Sequence, residues 1–339
     1  MSTISSKLCS ACSSVDLQRD DFERPPFEPE GRYHSLVLTG SVGYLRSNKK
    51  ACSLCRLVLY ALYRNEGQTL DEQSDEAEWG MTWSQNNDEY DPESNEAENL
   101  YGSGLYPRLK VEGSNTDHCI QLVDEASTDG FLRGRVISGS INAEMIQGWM
   151  RRCTEMHGND CKQSYIQVAP HPAVTMEFVV IDVNKECLVN MPSAAKYVAL
   201  SYVWGQANHL TTVKSVVSEF QMQGAFNKRK PPRTIQDAID LTRALGFQYL
   251  WVDALCIVQD EEEIKELLIS NMDAVYGHAA LTIVAASGLD ADTGLRGWRS
   301  SPPERELFTE SMGPDWRLGV LPSFDATIMK APHAKRGWT

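Results

Sequence analysis

The stretch Tyr-Leu-Trp-Val-Asp-Ala-Leu-Cys-Ile-Val-Gln-Asp at residues 249–260 decides the fold class of this chain of 339 residues. Its first five residues predict a short buried strand that ends at an aspartate. Two other short apolar runs, Val198–Tyr202 and Leu281–Ala286, predict strands of the same kind. Helical periodicity over Thr234–Leu245 and Glu261–Tyr276 separates the three strands. Strand, helix, strand, helix, strand predicts an α/β fold with a parallel sheet and crossover helices.

The first of these helices carries both a start and a stop signal. Thr234 and Asp237 have the spacing of a capping box, in which side chains accept hydrogen bonds from the first free amides. Gly246 follows the last apolar position, where a glycine ends a helix in a left-handed turn. Both signals support a crossover helix at this point.

Polar residues gather where the predicted strands end. Ligands of parallel sheets bind beyond the carboxyl ends of the strands, which makes these residues candidates for a ligand site. The candidate ligand-binding residues are Ser201, Tyr202, Trp204, Gly205, Asp253 and Gln259. Asp253 either accepts hydrogen bonds from a ligand or caps the turn that follows it. Cys256 is either a nucleophile or a small buried hydrophobe, and its motif contains no histidine to serve as a base.

Several common catalytic motifs are absent from the sequence. The chain has no G-x-x-x-x-G-K-[ST] phosphate loop, no G-x-S-x-G nucleophile elbow and no H-E-x-x-H zinc pair. Nucleotide triphosphatase, serine hydrolase and zinc protease functions therefore lose their usual support.

Two Cys-x-x-Cys pairs lie near the N-terminus, Cys9 with Cys12 and Cys52 with Cys55. Two such pairs separated by a loop suit a tetrahedral zinc ion, because each pair presents two thiolates to one metal. The expected cofactor is a structural zinc. The alternative is four unrelated reduced thiols, and a thioredoxin-like redox role fits less well because neither pair follows a strand of a βαβ unit.

A second group of soft ligands contains Cys153, His157 and Cys161. Cys153 and His157 share a face if this segment is helical, and His171 or Cys187 would have to supply a fourth ligand. The alternative is a helix end that is packed by Cys153 and hydrogen-bonded through His157.

Charge and composition divide the chain into four segments. The net charge is −14, and the twelve acidic residues between Glu66 and Glu98, with no basic residue among them, leave −2 for the rest. Residues 66–104 are therefore predicted to be an acidic flexible linker or loop. We expect a zinc-stapled cysteine module before it (1–65), a mixed α+β accessory region after it (105–190) and the α/β domain at 191–339.

The remaining composition bounds the environment of the protein. Hydrophobic residues make up 42% and charged residues 23%, as in ordinary globular proteins. No run of eighteen apolar residues and no N-terminal signal sequence is present, so we expect a cytoplasmic protein without a membrane span. No basic stripe is present, so nucleic acid is not an expected partner.

Three motifs in fixed order, at residues 197–205, 249–260 and 272–286, closely resemble the fungal heterokaryon-incompatibility (HET) domain. The resemblance implies an effector of programmed cell death in fungal non-self recognition. It also implies protein partners in incompatibility signalling and a possible homo-oligomer. A Trp-Cys-His-Cys run like that at residues 149–161 often precedes the HET domain in this family.

HET domains in turn resemble TIR domains in sheet architecture and in a Ser-Tyr pair after the first strand, here Ser201 and Tyr202. Several TIR domains cleave NAD with a helical glutamate, which makes NAD a possible substrate. In the family, a sequence like Arg336-Gly337-Trp338-Thr339 continues into an aliphatic residue, glutamine and glutamate. The expected catalytic glutamate therefore lies beyond the end of this chain, the HET domain is C-terminally incomplete, and no residue of the chain is assigned as catalytic. The alternative function is a non-catalytic signalling module that acts by self-association or partner binding.

Overall fold

The computed structural model describes residues 8–22, 36–63, 74–84, 108–113, 118–124, 134–135, 139–156, 178–192, 195–205, 210–299, 307–321 and 331–335. They belong to two compact units. The first unit takes residues 1–137 and 306–327, and the second takes residues 138–305 and 328–339. The predicted segment boundaries at residues 105 and 191 do not coincide with the boundaries of these units.

The described residues contain twelve strands. They are β1 (Leu36–Ser41), β2 (Glu78–Ser84), β3 (Arg108–Glu112), β4 (Cys119–Asp124), β5 (Gly134–Arg135), β6 (Val179–Asp182), β7 (Cys187–Asn190), β8 (Tyr197–Ser201), β9 (Tyr249–Trp251), β10 (Leu281–Val284), β11 (Thr309–Ser311) and β12 (Arg317–Leu321).

Ten α-helices connect them within the same described ranges. They are α1 (Ser10–Ser13), α2 (Val42–Asn48), α3 (Ser53–Tyr63), α4 (Ala143–Met156), α5 (Val217–Phe220), α6 (Ala225–Lys228), α7 (Arg233–Ala244), α8 (Asp253–Cys256), α9 (Glu262–Ser270) and α10 (Met272–Gly277). Two 3₁₀ turns lie at Arg19–Phe22 and Pro332–Lys335. Among these helices, none has the combination of length and apolar character needed to cross a membrane.

The sheet of the first unit is almost entirely antiparallel. Its strand order is β1-β2-β3-β4-β12-β11, and β5 pairs in parallel with β4. The apolar helix α3 packs against β3, β4, β11 and β12 and buries Leu54, Leu57 and Val58. Burial of such side chains contributes about 1.5–3 kcal/mol each. The hairpin β11–β12 therefore completes a core that begins near the N-terminus.

Strand β2 lies inside the segment predicted to be a flexible acidic linker. That prediction is wrong for residues 78–84, which pair with β1 on one side and β3 on the other. The physical reason is a local alternation of buried and more exposed side chains. The average acidity of the whole segment hides this alternation. Trp79 and Met81 are buried at 4% and 0% exposure, while Glu78 is exposed and Gly80 is partly exposed, as in a strand with one face on the core.

The sheet of the second unit is mixed. The three strands expected to be parallel are parallel, since β8 pairs in this way with both β9 and β10. The strand order is β10-β8-β9-β6-β7, and β6 is antiparallel to both of its neighbours. The predicted parallel sheet is therefore confirmed for β8, β9 and β10 and wrong for β6 and β7. The turn at 183–186 closes β6 and β7 into a hairpin, which forces the antiparallel pairing.

Helix α7 ends as predicted and begins differently. Gly246 has a φ of +84°, the left-handed conformation that terminates the helix. The predicted capping box is wrong, because the N-cap is Pro232 and no side chain caps it. Thr234 and Asp237 instead accept hydrogen bonds from the backbone amides of Gly294 and Leu295, at 3.0 and 2.9 Å. They fasten a distant loop to the helix.

The last predicted helix is divided in two. The expected helix at Glu261–Tyr276 is interrupted at Asn271, so that α9 and α10 are separate. Asn271 has φ −115° and ψ 23°, which is outside the helical region, and its side-chain amide bonds the carbonyl of Leu267 at 2.7 Å. The side chain thus competes with the backbone for the helical acceptor.

Candidate functional site

The four N-terminal cysteines meet in the first unit. Cys9 is the N-cap of α1 and Cys12 lies on that helix, while Cys52 precedes α3 and Cys55 lies in its first turn. All four sulfur atoms lie within 4.8 Å of one another. The Sγ atom of Cys55 is 3.7 Å from those of both Cys9 and Cys12. The structure therefore brings together the four ligands predicted from sequence.

The geometry of this cluster fits a tetrahedral metal. A Zn–S bond of about 2.3 Å in a tetrahedron separates the sulfurs by about 3.8 Å, close to the two distances of 3.7 Å. Hydrogen bonding between the thiols lowers the pKa of Cys52 and raises that of Cys12. Three of the thiols are buried, so four thiolates at this distance need a cation to balance their charge.

An ion pair borders the cluster. Arg56, next to Cys55 on α3, donates to both carboxylate oxygens of Glu310 on β11, at 2.5 and 2.8 Å. The hydrogen bond with Glu310 is the main cause of a raised pKa at Arg56, and the charges of Cys52 and Cys55 add to it. The guanidinium therefore places positive charge beside the sulfur ligands.

The second predicted cluster is only partly within the described residues. Cys153 lies on α4 and is partly buried, and Cys187 is buried in β7. His157, Cys161 and His171 lie outside the described residues. Among the described residues, only the four N-terminal cysteines form a group that could hold a metal ion. The second cluster stays a prediction.

In the second unit, two strand ends are joined through Trp204 and Asp253. The indole nitrogen of Trp204, which follows β8, donates to Oδ2 of Asp253 at 2.9 Å. Oδ1 of Asp253 accepts from the amide of Ala254 at 2.8 Å, at the first turn of α8. The carboxylate is buried, so these bonds offset much of its desolvation. Oδ1 of Asp253 therefore bonds the turn that follows it, and the ligand-binding role of Asp253 stays a prediction.

Gln259 and Gly205 lie at the same strand ends. Gln259 bonds backbone carbonyls there with its side chain, and Gly205 allows a neighbouring loop to approach closely. The side-chain amide of Gln259 donates to the carbonyls of Asp253 and Ile257 at 3.0 and 3.2 Å. Gly205 has a φ of +75°, and a Cβ there would lie 2.5 Å from that of Asp290. Only glycine admits this close approach without displacing the neighbouring loop.

Tyr202 and Cys256 are core residues. Tyr202 is 1% exposed and packs in the apolar cluster of the second unit. Cys256 is 4% exposed, and burial raises the pKa of its thiol to about 12. A thiol with that pKa is protonated at neutral pH, which removes the thiolate that a cysteine nucleophile requires.

Ser201 has a partner that the sequence analysis missed. Its Oγ lies 2.7 Å from Nε2 of His333, a buried residue in the turn Pro332–Lys335. The two residues are 132 positions apart. His333 belongs to no recognisable motif, so no signal in the sequence connects it with Ser201. Only the folded chain brings an imidazole to this strand end.

Comparison with known proteins yields one family and one curated relative. Residues 197–339 match the family model described as heterokaryon incompatibility protein (HET). The relative is "Heterokaryon incompatibility protein 6, OR allele" of Neurospora crassa, with 28% identity over 106 residues. The match covers 29% of this chain and spans only 15% of the relative's length. No solved structure matches the chain.

Proposed function

From the premise that this protein carries a HET domain at residues 197–339, we propose that it acts in fungal heterokaryon incompatibility as an effector of programmed cell death. The observation that carries the proposal is the family match over the segment that builds most of the second unit. The similarity to an incompatibility protein of Neurospora crassa supports the same role. Protein partners in incompatibility signalling are part of this proposal.

Inducible expression in a filamentous fungus tests this role. We expect growth arrest and uptake of a vital dye after induction of the full chain. Asp253→Asn disturbs the strand-end site, and Asp273→Asn, at an exposed position of α10, is the matched control. Death with the control but not with Asp253→Asn, at equal protein levels, supports a role of the strand ends. Normal growth with abundant wild-type protein contradicts the proposal.

The strand ends of the second unit form the proposed ligand site. Ser201 is partly exposed, and Trp204 is held by Asp253 at the carboxyl ends of two parallel strands, where ligands of such sheets bind. In this proposal the indole face presents an aromatic surface to a nucleotide base. The proposed ligand is a nucleotide, and NAD is the proposed substrate by analogy with TIR domains.

NAD binding and NAD cleavage are measured separately. Calorimetry with NAD is expected to give saturable heat for the wild type and for Asp273→Asn, and a lower affinity for Asp253→Asn. Release of nicotinamide measures the reaction itself. If NAD binds but no nicotinamide is released, the protein is a nucleotide sensor rather than an enzyme. If a folded protein gives no heat of NAD binding, NAD is removed from the proposal.

The four cysteines of the first unit are the proposed site of a structural zinc. Cys9, Cys12, Cys52 and Cys55 would hold the ion, which would neutralise the four thiolates and join the two cysteine pairs. Elemental analysis of the purified protein is expected to give about one zinc per chain. Protein that folds and remains metal-free after growth with zinc contradicts this assignment.

A second function, self-association without catalysis, is favoured by the surface of α9. Ile264 and Leu267, which share a face of this short helix at a spacing of three residues, are 44% and 47% exposed. Exposed apolar groups of this kind mark interaction surfaces when they lie together. Light scattering is expected to show growth in mass with concentration, lost in Leu267→Glu and kept in Glu266→Gln. A monomer at every concentration contradicts this function.

A further inference from the structure

The pair formed by Ser201 and His333 lies at the partly exposed end of an otherwise buried strand. The first four residues of β8 are buried, and Ser201, the last, is partly exposed. Its hydroxyl oxygen is 2.7 Å from Nε2 of His333, within the range found between a nucleophile and its base. His333 itself is 7% exposed. The serine is thus the only residue of β8 that is not buried, and its imidazole partner is buried.

Backbone bonds hold the two side chains in place. The carbonyl of Ser201 accepts from the amide of Ala285, directly after β10. The next carbonyl, that of Ala286, accepts from the amide of His333 at 3.4 Å. The end of β10 thus links the strand that carries the serine to the turn that carries the histidine. Because the fold already holds the base in position, the reaction does not have to meet the entropy cost of positioning it.

The neighbouring cysteine offers a contrast at the adjacent strand end. The thiol of Cys256 is buried, its pKa is raised to about 12, and its nearest bonded partners are backbone groups of Val252 and Leu250. Ser201 is partly exposed and its hydroxyl contacts an imidazole. Of the serine and the cysteine at these strand ends, only the serine contacts a side chain that can act as its base.

We propose that Ser201 and His333 form a nucleophile–base pair that gives this protein an acyl-transfer activity toward carboxylic esters or thioesters. Oγ of Ser201 attacks the carbonyl carbon while Nε2 of His333 takes its proton. The bond to the leaving alcohol or thiol then breaks, and the leaving group departs with that proton. Water, deprotonated by the same nitrogen, hydrolyses the acyl-serine, and the proton returns to Ser201. This activity goes beyond the proposed function and does not depend on NAD.

A fluorophosphonate probe tests the pair in the full chain, with the modified residue mapped by mass spectrometry. We expect one modified site, Ser201, and a stoichiometric burst of p-nitrophenol from p-nitrophenyl acetate. Ser201→Ala is expected to abolish both signals. His333→Gln retains a side-chain hydrogen-bond donor but not the base, and is expected to slow labelling about a hundredfold. Ser287→Ala, an exposed serine after β10, is the matched control and is expected to label normally.

Each alternative outcome overturns the proposal. A folded wild type that gives neither label nor burst shows that the contact is only structural. Labelling at another residue removes Ser201, and labelling of folded His333→Gln at the wild-type rate removes the base. Thermal melting of each variant establishes that it is folded. Nicotinamide release from NAD is measured on the same samples, so that failure of the acyl-transfer activity and failure of the NAD proposal remain distinguishable.

Discussion

The cysteine cluster of the first unit and the strand-end site of the second are built in different ways. Each half of the cluster is a pair three residues apart, so local turns place its ligands two at a time. The strand-end site joins residues 49 and 132 positions apart, Trp204 to Asp253 and Ser201 to His333. The first site is closed and suited to stability. The second is partly open to solvent, and openness is what a binding or reacting site needs.

The largest effect is expected from removal of the proposed zinc ion. Structural zinc in small modules contributes an apparent 10–16 kcal/mol, which is about the whole stability of a typical domain. A strong chelator, or Cys55→Ser, is therefore expected to unfold the first unit. Hydrogen exchange measures the change, as a loss of amide protection in β1–β4.

Cys119→Ala is the control for this experiment, because Cys119 is buried in β4 but is not one of the four clustered cysteines. It is expected to keep the full zinc content. Undiminished protection of β1–β4 after complete chelation would show that the sulfur cluster is not a structural metal site. A second equivalent of zinc that disappears in Cys153→Ser would instead establish the second predicted cluster.

The difference between sites built by local turns and sites built by long-range contacts also explains how much could be predicted from sequence. The four-cysteine cluster and the three parallel strands β8, β9 and β10 follow from local spacing and apolar runs, and both are present. Strand β2 was concealed because twelve acidic residues dominate the composition around it. The hairpin β11–β12 and the partner of Ser201 depend on contacts between distant segments. Short sequence motifs do not indicate such contacts, because the contacts form only when distant segments are brought together in the fold.

A smaller effect is expected from breaking the bond between Trp204 and Asp253. Asp253→Asn can place an NH₂ group against the indole N–H, so that one buried donor loses its acceptor. The expected loss is about 1–3 kcal/mol in the free energy of unfolding. Denaturant unfolding measures it, and the difference in tryptophan fluorescence between each protein and its Trp204→Phe variant isolates this one of the eight indoles.

A double-mutant cycle with Trp204→Phe isolates the bond itself. If the bond is the cause, the second change adds little once the first has been made. Strict additivity of the two losses would mean that Asp253 stabilises the strand ends through Ala254 alone. Trp204 and Asp253 would then stabilise their own strand ends independently of each other.

The smallest effect is expected at the ion pair beside the cluster. Glu310→Gln removes the charge opposite Arg56, whose side chain is 31% exposed and therefore partly screened by water. We expect a loss of about 0.5–1 kcal/mol, as for other partly exposed pairs, and an unchanged zinc content. Denaturant unfolding and elemental analysis give the two values. If zinc content falls with Glu310→Gln, the cluster depends on a residue more than 250 positions away in sequence, and its contrast with the strand-end site weakens.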